Sequence, residues 1–170
     1  MRGYFRGFFL SLAIFLFIPI SADARTYVDT ETPIEIQIAA NKYGAEYGIC
    51  PELIESICYQ ESRFDPQALD GSQTCYGLMQ VQKICHRERM NELGVSDLYD
   101  VDSNIHVATD YLAELFEQYE DVATVLMVYH GERNAVKNAE GGRVSEYARE
   151  ILERSYALET AHGKHDLKAR

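Results

Sequence analysis

The apolar positions of the chain form one unbroken run near the start and then a series of spaced stripes. The run is "GFFLSLAIFLFIPI". After it, "TPIEIQIAANKYGAEYG" predicts a helix with Thr32 as N-cap, Pro33 at the first helical position and Glu35 closing a capping box. A second helix is predicted from Pro51 to the neighbourhood of Arg63 to Asp65, because Pro66 disfavours helix in the residue before it. In this helix Ile54, Ile57, Cys58 and Glu61 recur at spacings of three and four and so share a face. "DPQALDGSQTCYGLMQV" then changes character: turn residues, followed by an apolar run too short for a helix. It predicts a loop and a small β-hairpin or extended segment around Gly77 to Gln82.

A third helix is predicted over "QKICHRERMNELG", stopped by Gly94. A fourth, capped by Asp102 or Ser103, aligns Ile105, Ala108, Thr109, Leu112, Phe116 and Tyr119 on one face. "DVATVLMVYHG" is apolar almost all round, which predicts a short helix in the centre of the domain. "SEYAREILERSYALE" is a last amphipathic helix with Tyr147, Ile151 and Ser155 on one side. "RTYVDTE" and "TAHGKHDLKAR" carry no such pattern and read as tails. The expectation is one mainly α domain with a small β element over residues 32–158, with tails at 25–31 and 159–170.

The leading apolar run is shorter than the roughly 20 residues that span a bilayer. It follows a basic start, "MRGYFR", and precedes a small-x-small site at Ala22 to Ala24, the layout of a secretory signal over residues 1–24. An uncleaved membrane anchor is the alternative. Cleavage leaves 14 basic against 26 acidic residues, a formal charge of −12. That balance argues against nucleic acid as a partner. It also argues against electrostatic attachment to anionic membranes, so no stable membrane association is expected after cleavage. The expected location is secreted, in the cell envelope: a periplasm or a cell-wall space.

Cys50, Cys58, Cys75 and Cys85 lie within a 36-residue window. An even count in an exported chain favours disulfides over metal ligands, and no C-x-x-C pair supports zinc. Cys50 and Cys58, eight residues apart on one helix, would be about 12 Å apart, too far to bridge. Two pairings remain, 50–75 with 58–85 or 50–85 with 58–75, the second favoured by the return of the loop after Asp65. Of the histidines, His86, His106, His162 and His165 show no ligand spacing to one another, so neither metal nor cofactor is expected.

Glu61 is the most informative residue. On an apolar stripe it is drawn inward, where desolvation disfavours the charged form and raises its pKa. A carboxylic acid kept protonated near neutral pH is what glycosidic cleavage requires as general acid. A half-buried glutamate paired with Arg63 or Arg149 is the plainer alternative.

"ESRF" from Glu61, "GLMQV" from Gly77, "NIHVATDYL" from Asn104, Tyr129 in "VYHG" and Tyr147 in "SEYA" follow in that order. This series resembles the catalytic domain of soluble lytic transglycosylases, relatives of goose-type lysozymes, over roughly Ile34 to Leu158. The resemblance implies a lysozyme-like, mainly helical α+β fold whose β segment lies beside a peptidoglycan-binding cleft, with Glu61 at the catalytic acid position. It carries Ser62, Tyr76, Gly77, Met79, Gln80, Tyr129, His130 and Tyr147 over as glycan-binding candidates.

Each has its own physical reading. Ser62 can bond a sugar or the acid, or cap its own helix. Gly77 permits close backbone approach. Met79 offers a thioether to a sugar face or packs in the core, and Gln80 offers an amide. Tyr129 can bring its hydroxyl to the acid and hold its proton, or fill the core. Tyr147 can be a sugar platform or a packing residue. Asn104 reads as a cap for its own helix. The related domains usually read Tyr-Asn where this chain has Tyr129 and His130, and imidazole, unlike an amide, titrates.

Most glycosidases need two carboxylates. Asp65 and Asp70 are near enough in sequence, but both stand in turns that favour aspartate anyway. The shortage suits a transglycosylase, in which the resemblance implies that the sugar's own C6 hydroxyl replaces water. The substrate would be the peptidoglycan glycan strand, and partners of the kind found in a cell-wall or secretion complex are compatible with export. A goose-type hydrolase and a non-catalytic glycan-binding scaffold are the rivals.

Overall fold

The computed structural model describes residues 32–164; the expected leader and the tail at 25–31 lie outside them. The architecture is mainly helical with one two-stranded antiparallel hairpin. In chain order the elements are α1 (Ile34–Tyr47), α2 (Pro51–Ser62), β1 (Cys75–Tyr76), β2 (Val81–Gln82), α3 (Arg87–Glu92), α4 (Val101–Gln118), α5 (Val122–Tyr129), α6 (Ala135–Glu140) and α7 (Glu146–Ala161). The register pairs Cys75 with Gln82 and Tyr76 with Val81.

The centre of the domain is α2. It starts with Pro51 in its first turn, where the missing N–H would have no helical partner. Seven consecutive residues, Glu52 to Cys58, are buried, so the middle of this helix is enclosed on every side. It packs on α1 and on α7, while α4 covers α1. The α1–α4 seam is fixed by side chains: the Tyr43 hydroxyl donates to Asp102 at 2.7 Å, and the Tyr43 ring stacks on His106 at 4.2 Å. The stripe on α4 is real, with Ile105, Ala108, Thr109 and Leu112 buried and Phe116 and Tyr119 half-buried. Buried at Ala123 to Met127, α5 runs through the core against α4, α6 and α7. Asp121 caps it by accepting the Thr124 N–H at 2.8 Å.

Several boundaries differ from the sequence reading. Helix α1 begins at Ile34 with Pro33 at the cap and no side-chain cap. Thr32 is buried instead of folding over the helix end, and Gln37 reaches back to its carbonyl at 2.7 Å. The helix expected over residues 82–94 is only Arg87–Glu92, because Gln82 is committed to the hairpin and its carbonyl accepts the Cys85 and His86 N–H groups. Asp100, not Asp102 or Ser103, caps α4 by accepting the Ser103 N–H at 2.9 Å; Asp102 is engaged by Lys42 and Tyr43. The hairpin starts two residues earlier than expected, and α6 was not foreseen.

The expected disulfides are absent: all four cysteines are free thiols. Cys50, at the cap of α2, donates to Glu52 at 2.9 Å, and burial with that bond pushes its pKa up to about 12. Cys58 is enclosed in the core, where burial pushes its thiol up as well. Cys85 is exposed beyond the hairpin and donates to Gln82 at 2.8 Å. Cys75 has Thr74 as its polar neighbour, at 3.8 Å.

Of the C-terminal segment expected as a tail, residues 159–164 are tied down, and 165–170 lie outside the described residues. α7 continues to Ala161, and His162 Nδ1 and Lys164 Nζ reach Glu52 at 2.8 and 2.6 Å. Burial alone would raise the Glu52 pKa, but the bonds from Cys50, His162 and Lys164 outweigh it and bring the value down to about 2. A depressed carboxylate stabilises the fold above the ordinary glutamate range, about 4.3, and loses that contribution as the pH falls toward its folded value. Glu52→Gln is therefore expected to lower unfolding stability by about 2 kcal/mol at pH 7. Urea denaturation should show the deficit intact at pH 6 and shrinking as the pH is taken from 4 toward 2.

Candidate active site

Glu61 occupies the penultimate position of α2. The helix ends at once beyond Ser62: Arg63 and Phe64 both have positive φ, 55° and 69°. Neither is glycine, so the turn carries backbone strain that surrounding contacts must offset. Those contacts are aromatic and cationic. The Arg63 guanidinium lies over the Tyr59 ring at 4.4 Å, and Phe64 meets Tyr59 edge-on at 5.4 Å. Arg154, buried on α7, lies over the same Tyr59 ring at 3.9 Å.

The wall opposite Glu61 is α7. Tyr147, Glu150 and Arg154 recur at spacings of three and four and so project from one side. Arg154 holds Tyr59, Glu150 accepts from Gln60 at 2.9 Å, and the Tyr147 hydroxyl donates to Glu61 Oε1. Burial raises the Glu61 pKa above the ordinary carboxylate value, and the Tyr147 hydrogen bond and the nearby His130 offset that only in part. Tyr147 is itself pushed well above its usual pKa, by burial first and by Glu61 next, so it stays a neutral donor.

Tyr147, not Tyr129, brings its hydroxyl to the acid. Tyr129, expected to hold the acid's proton, donates to the Met79 carbonyl at 2.7 Å. Tyr147, expected as a platform or a packing residue, makes the bond to Glu61. Ser62 caps its own helix by donating to the Cys58 carbonyl at 3.0 Å. The Met79 side chain is fully buried and belongs to the core, and the bond from Tyr129 is made to its backbone carbonyl. Gln80, with φ 48°, donates to the Gly77 carbonyl at 2.9 Å and so braces its own turn. The Tyr76 hydroxyl donates to the Gln73 carbonyl, and its ring meets Tyr99 edge-on. His130 stacks on Tyr147.

Asn104 is the organising residue that the sequence reading missed. It does not cap α4. Its amide donates to the carbonyls of Tyr76 and Leu98, at 2.8 and 2.7 Å, and its Oδ1 accepts the Met79 N–H at 2.9 Å. One buried side chain thereby joins α4, the hairpin and the segment before α4. The hairpin turn comes so close that a Cβ on Gly77 would sit 2.2 Å from the Leu98 carbonyl and 2.4 Å from the Asn104 amide. With φ 72° as well, position 77 admits only glycine. An amide at the head of a buried stripe was the available signal.

The two aspartates considered as second carboxylates serve loops. Asp65 is exposed and accepts the Gln67 N–H at 2.9 Å. Asp70 accepts the N–H groups of Ser72, Thr74 and Cys75 and the Ser72 hydroxyl, and the Cys75 N–H above all holds it well below the usual carboxylate range. Among the described residues no three His, Cys, Asp or Glu side chains are grouped to hold a metal, and no helix is long and apolar enough to cross a membrane.

A family model, the transglycosylase SLT domain, matches residues 38–152, more than half of the chain. The chain belongs to that family. Within the SLT family it is similar to the membrane-bound lytic murein transglycosylase F of Desulfosudis oleivorans, 33% identical over 87 residues, which are 51% of this chain and 17% of that protein. It is equally similar to a transglycosylase of Enterobacteria phage PRD1, 33% identical over 90 residues, 53% of this chain and 32% of that one. The match thus spans a minor part of each curated relative. Among solved structures, an inactive mutant of lytic transglycosylase Slt from Pseudomonas aeruginosa superposes with a TM-score of 0.68 at 18% identity, over 80% of this chain and 26% of that one. That likeness establishes the lysozyme-like, mainly helical fold of this SLT domain.

Two outcomes test the geometry. Tyr147→Phe removes the donor that favours ionised Glu61, so the Glu61 carboxyl, followed by 13C NMR, should titrate at higher pH than in the wild type. Asn104→Ala leaves two carbonyls and one N–H without their partner, and thermal or urea unfolding should show a loss of about 2–4 kcal/mol.

Proposed function

We propose that this SLT domain is a lytic transglycosylase that cleaves the β-1,4 bond between N-acetylmuramic acid and N-acetylglucosamine in peptidoglycan. The observation that carries the reading is Glu61: a carboxyl biased toward its protonated form by burial, with a neutral phenol bonded to one oxygen. The relatives named as transglycosylases support the same reading.

In this mechanism Glu61 gives its proton to the oxygen that bridges the two sugars. The bond from that oxygen to the muramyl C1 breaks, and N-acetylglucosamine leaves with a new 4-hydroxyl. The muramyl N-acetyl group stabilises the cation developing at C1. Glu61, now ionised and stabilised by the Tyr147 hydroxyl, takes the proton of the muramyl C6 hydroxyl as O6 closes onto C1. The product is a 1,6-anhydromuramyl end, the glutamate is protonated again, and no water is consumed. The step needs one acid that reverses its role and no second carboxylate. The engagement of Asp65 and Asp70 with loop N–H groups fits this requirement better than it fits a hydrolase.

Tyr76, Gln80 and Tyr129 are half-buried polar side chains on the hairpin, its turn and the end of α5. The Glu61 charge is felt at Tyr129 and at Cys75 beside Tyr76, and these three are our candidates for the glycan wall. Export by residues 1–24 would place the domain in the cell envelope, where its substrate lies.

Glu61→Gln keeps the shape and the Tyr147 contact but has no proton to give. Turnover of purified peptidoglycan should fall by roughly two to four orders of magnitude, with circular dichroism unchanged. Mass spectrometry of wild-type digests should find anhydromuramyl ends. Reducing ends would mark a hydrolase, and intact strands bound but not cut would mark a scaffold.

A further inference from the structure

We propose that His130 is a positioning residue that acts through Tyr147 on the proton of Glu61, and is not a glycan contact. Three elements meet at this point. Glu61 lies at the end of α2, Tyr147 in the first turn of α7, and His130 immediately follows α5 as its C-cap. Gly131, with φ 74°, then turns the chain away, so the imidazole is delivered where the helix stops.

The His130 ring lies flat on the Tyr147 ring, with centroids 3.9 Å apart and planes 4° from parallel. The hydroxyl of that tyrosine is the one that donates to Glu61. A phenol turns about two side-chain torsions, and a ring seated against its face resists both. His130 is in turn steadied from its other end, where Nδ1 lies 3.4 Å from Glu132 Oε1. The result is a line of contacts from Glu132 through His130 and Tyr147 to Glu61. The titratable groups along it are Glu132 in the loop after α5, Tyr147 on α7 and Glu61 on α2, and the charge of His130 is felt at Glu61 in the direction that favours the carboxylate.

The stacked face of the imidazole is occupied by Tyr147, so a sugar ring cannot stack there. The contact also serves the reaction: the phenol must stay aligned while Glu61 passes from acid to carboxylate and back, and a plate behind it holds that alignment through both states. The inference rests on Glu61 being the acid of the reaction proposed above.

The His130 side chain is 47% exposed, so it can be replaced without opening a cavity. Three variants decide the matter: His130→Ala, His130→Phe, which keeps a flat ring, and His130→Ala in a Tyr147→Phe background. The first readout is the Glu61 carboxyl titration by 13C NMR, which needs no turnover. His130→Ala should move it upward by more than His130→Phe does, since both lose the imidazole's own charge on Glu61 but only alanine loses the stacked ring. The Tyr147→Phe background should leave only the direct charge effect. The second is kinetics on soluble glycan strands. His130→Ala should lower kcat roughly tenfold with KM within about twofold, and His130→Phe should recover most of the loss. A raised KM with unchanged kcat, a phenylalanine no better than alanine, or an undiminished effect in the Tyr147→Phe background would each overturn the proposal. Failure of the reaction itself would show separately, as a wild type without anhydromuramyl product while the titrations still report on the stack.

Discussion

The rest of the molecule is organised around shielding one carboxyl from most of the water at the end of a helix. An ionised glutamate in that setting is penalised by desolvation, and the penalty is what retains the proton. Retaining it requires that the helix not move, and α2 is held accordingly. Its middle is enclosed by α1 and α7, its first turn is tied by Glu52 to the residues after α7, and its last turn is gripped by Tyr147, Glu150 and Arg154. α7 and the residues that follow it thus hold both ends of the rod that carries the acid.

The second fixed body is the hairpin with its turn, and a different physics governs it. Two strands of two residues cannot hold themselves together. Asn104 supplies the missing stability by satisfying backbone groups from two directions, Gly77 allows the approach, and Asp70 gathers the N–H groups of the loop that leads in. Tyr129 closes the arrangement by bonding the Met79 carbonyl. The turn is therefore a polar construction seated on an apolar core, and Leu78, Met79 and Val81 are its roots.

Much of this was legible in the sequence, for reasons that can be named. Glu61 could be found because the period of a helix put it on the stripe of Ile54, Ile57 and Cys58. The long stripe of α4 and the all-round apolar character of α5 were legible on the same ground, since periodicity reports burial directly. What periodicity does not report is which partner a buried hydroxyl or amide finds. Which of Tyr129 and Tyr147 meets the acid turns on which helix end lies nearer to Glu61, and the bridging of Asn104 turns on loops far away in the chain. Cation-bearing residues near a terminus, such as His162 and Lys164, look like any solvated tail until a buried glutamate is seen beneath them. The short α6 has no stripe to announce it. The cysteines misled because an even count speaks about compartment, whereas pairing depends on where each thiol lies; here all four are free, Cys50 bonded to Glu52 and Cys85 to Gln82.

The paired left-handed residues at Arg63 and Phe64 set two selective demands against each other. Glycine at either position would relax the backbone, and a screen for heat resistance alone would favour it. The same exchange would strip a cation or a ring from Tyr59 and loosen the stop that fixes the end of α2. Variants chosen for endurance would then tend to carry a wandering acid, so this corner of the protein is one where durability and turnover must be optimised separately.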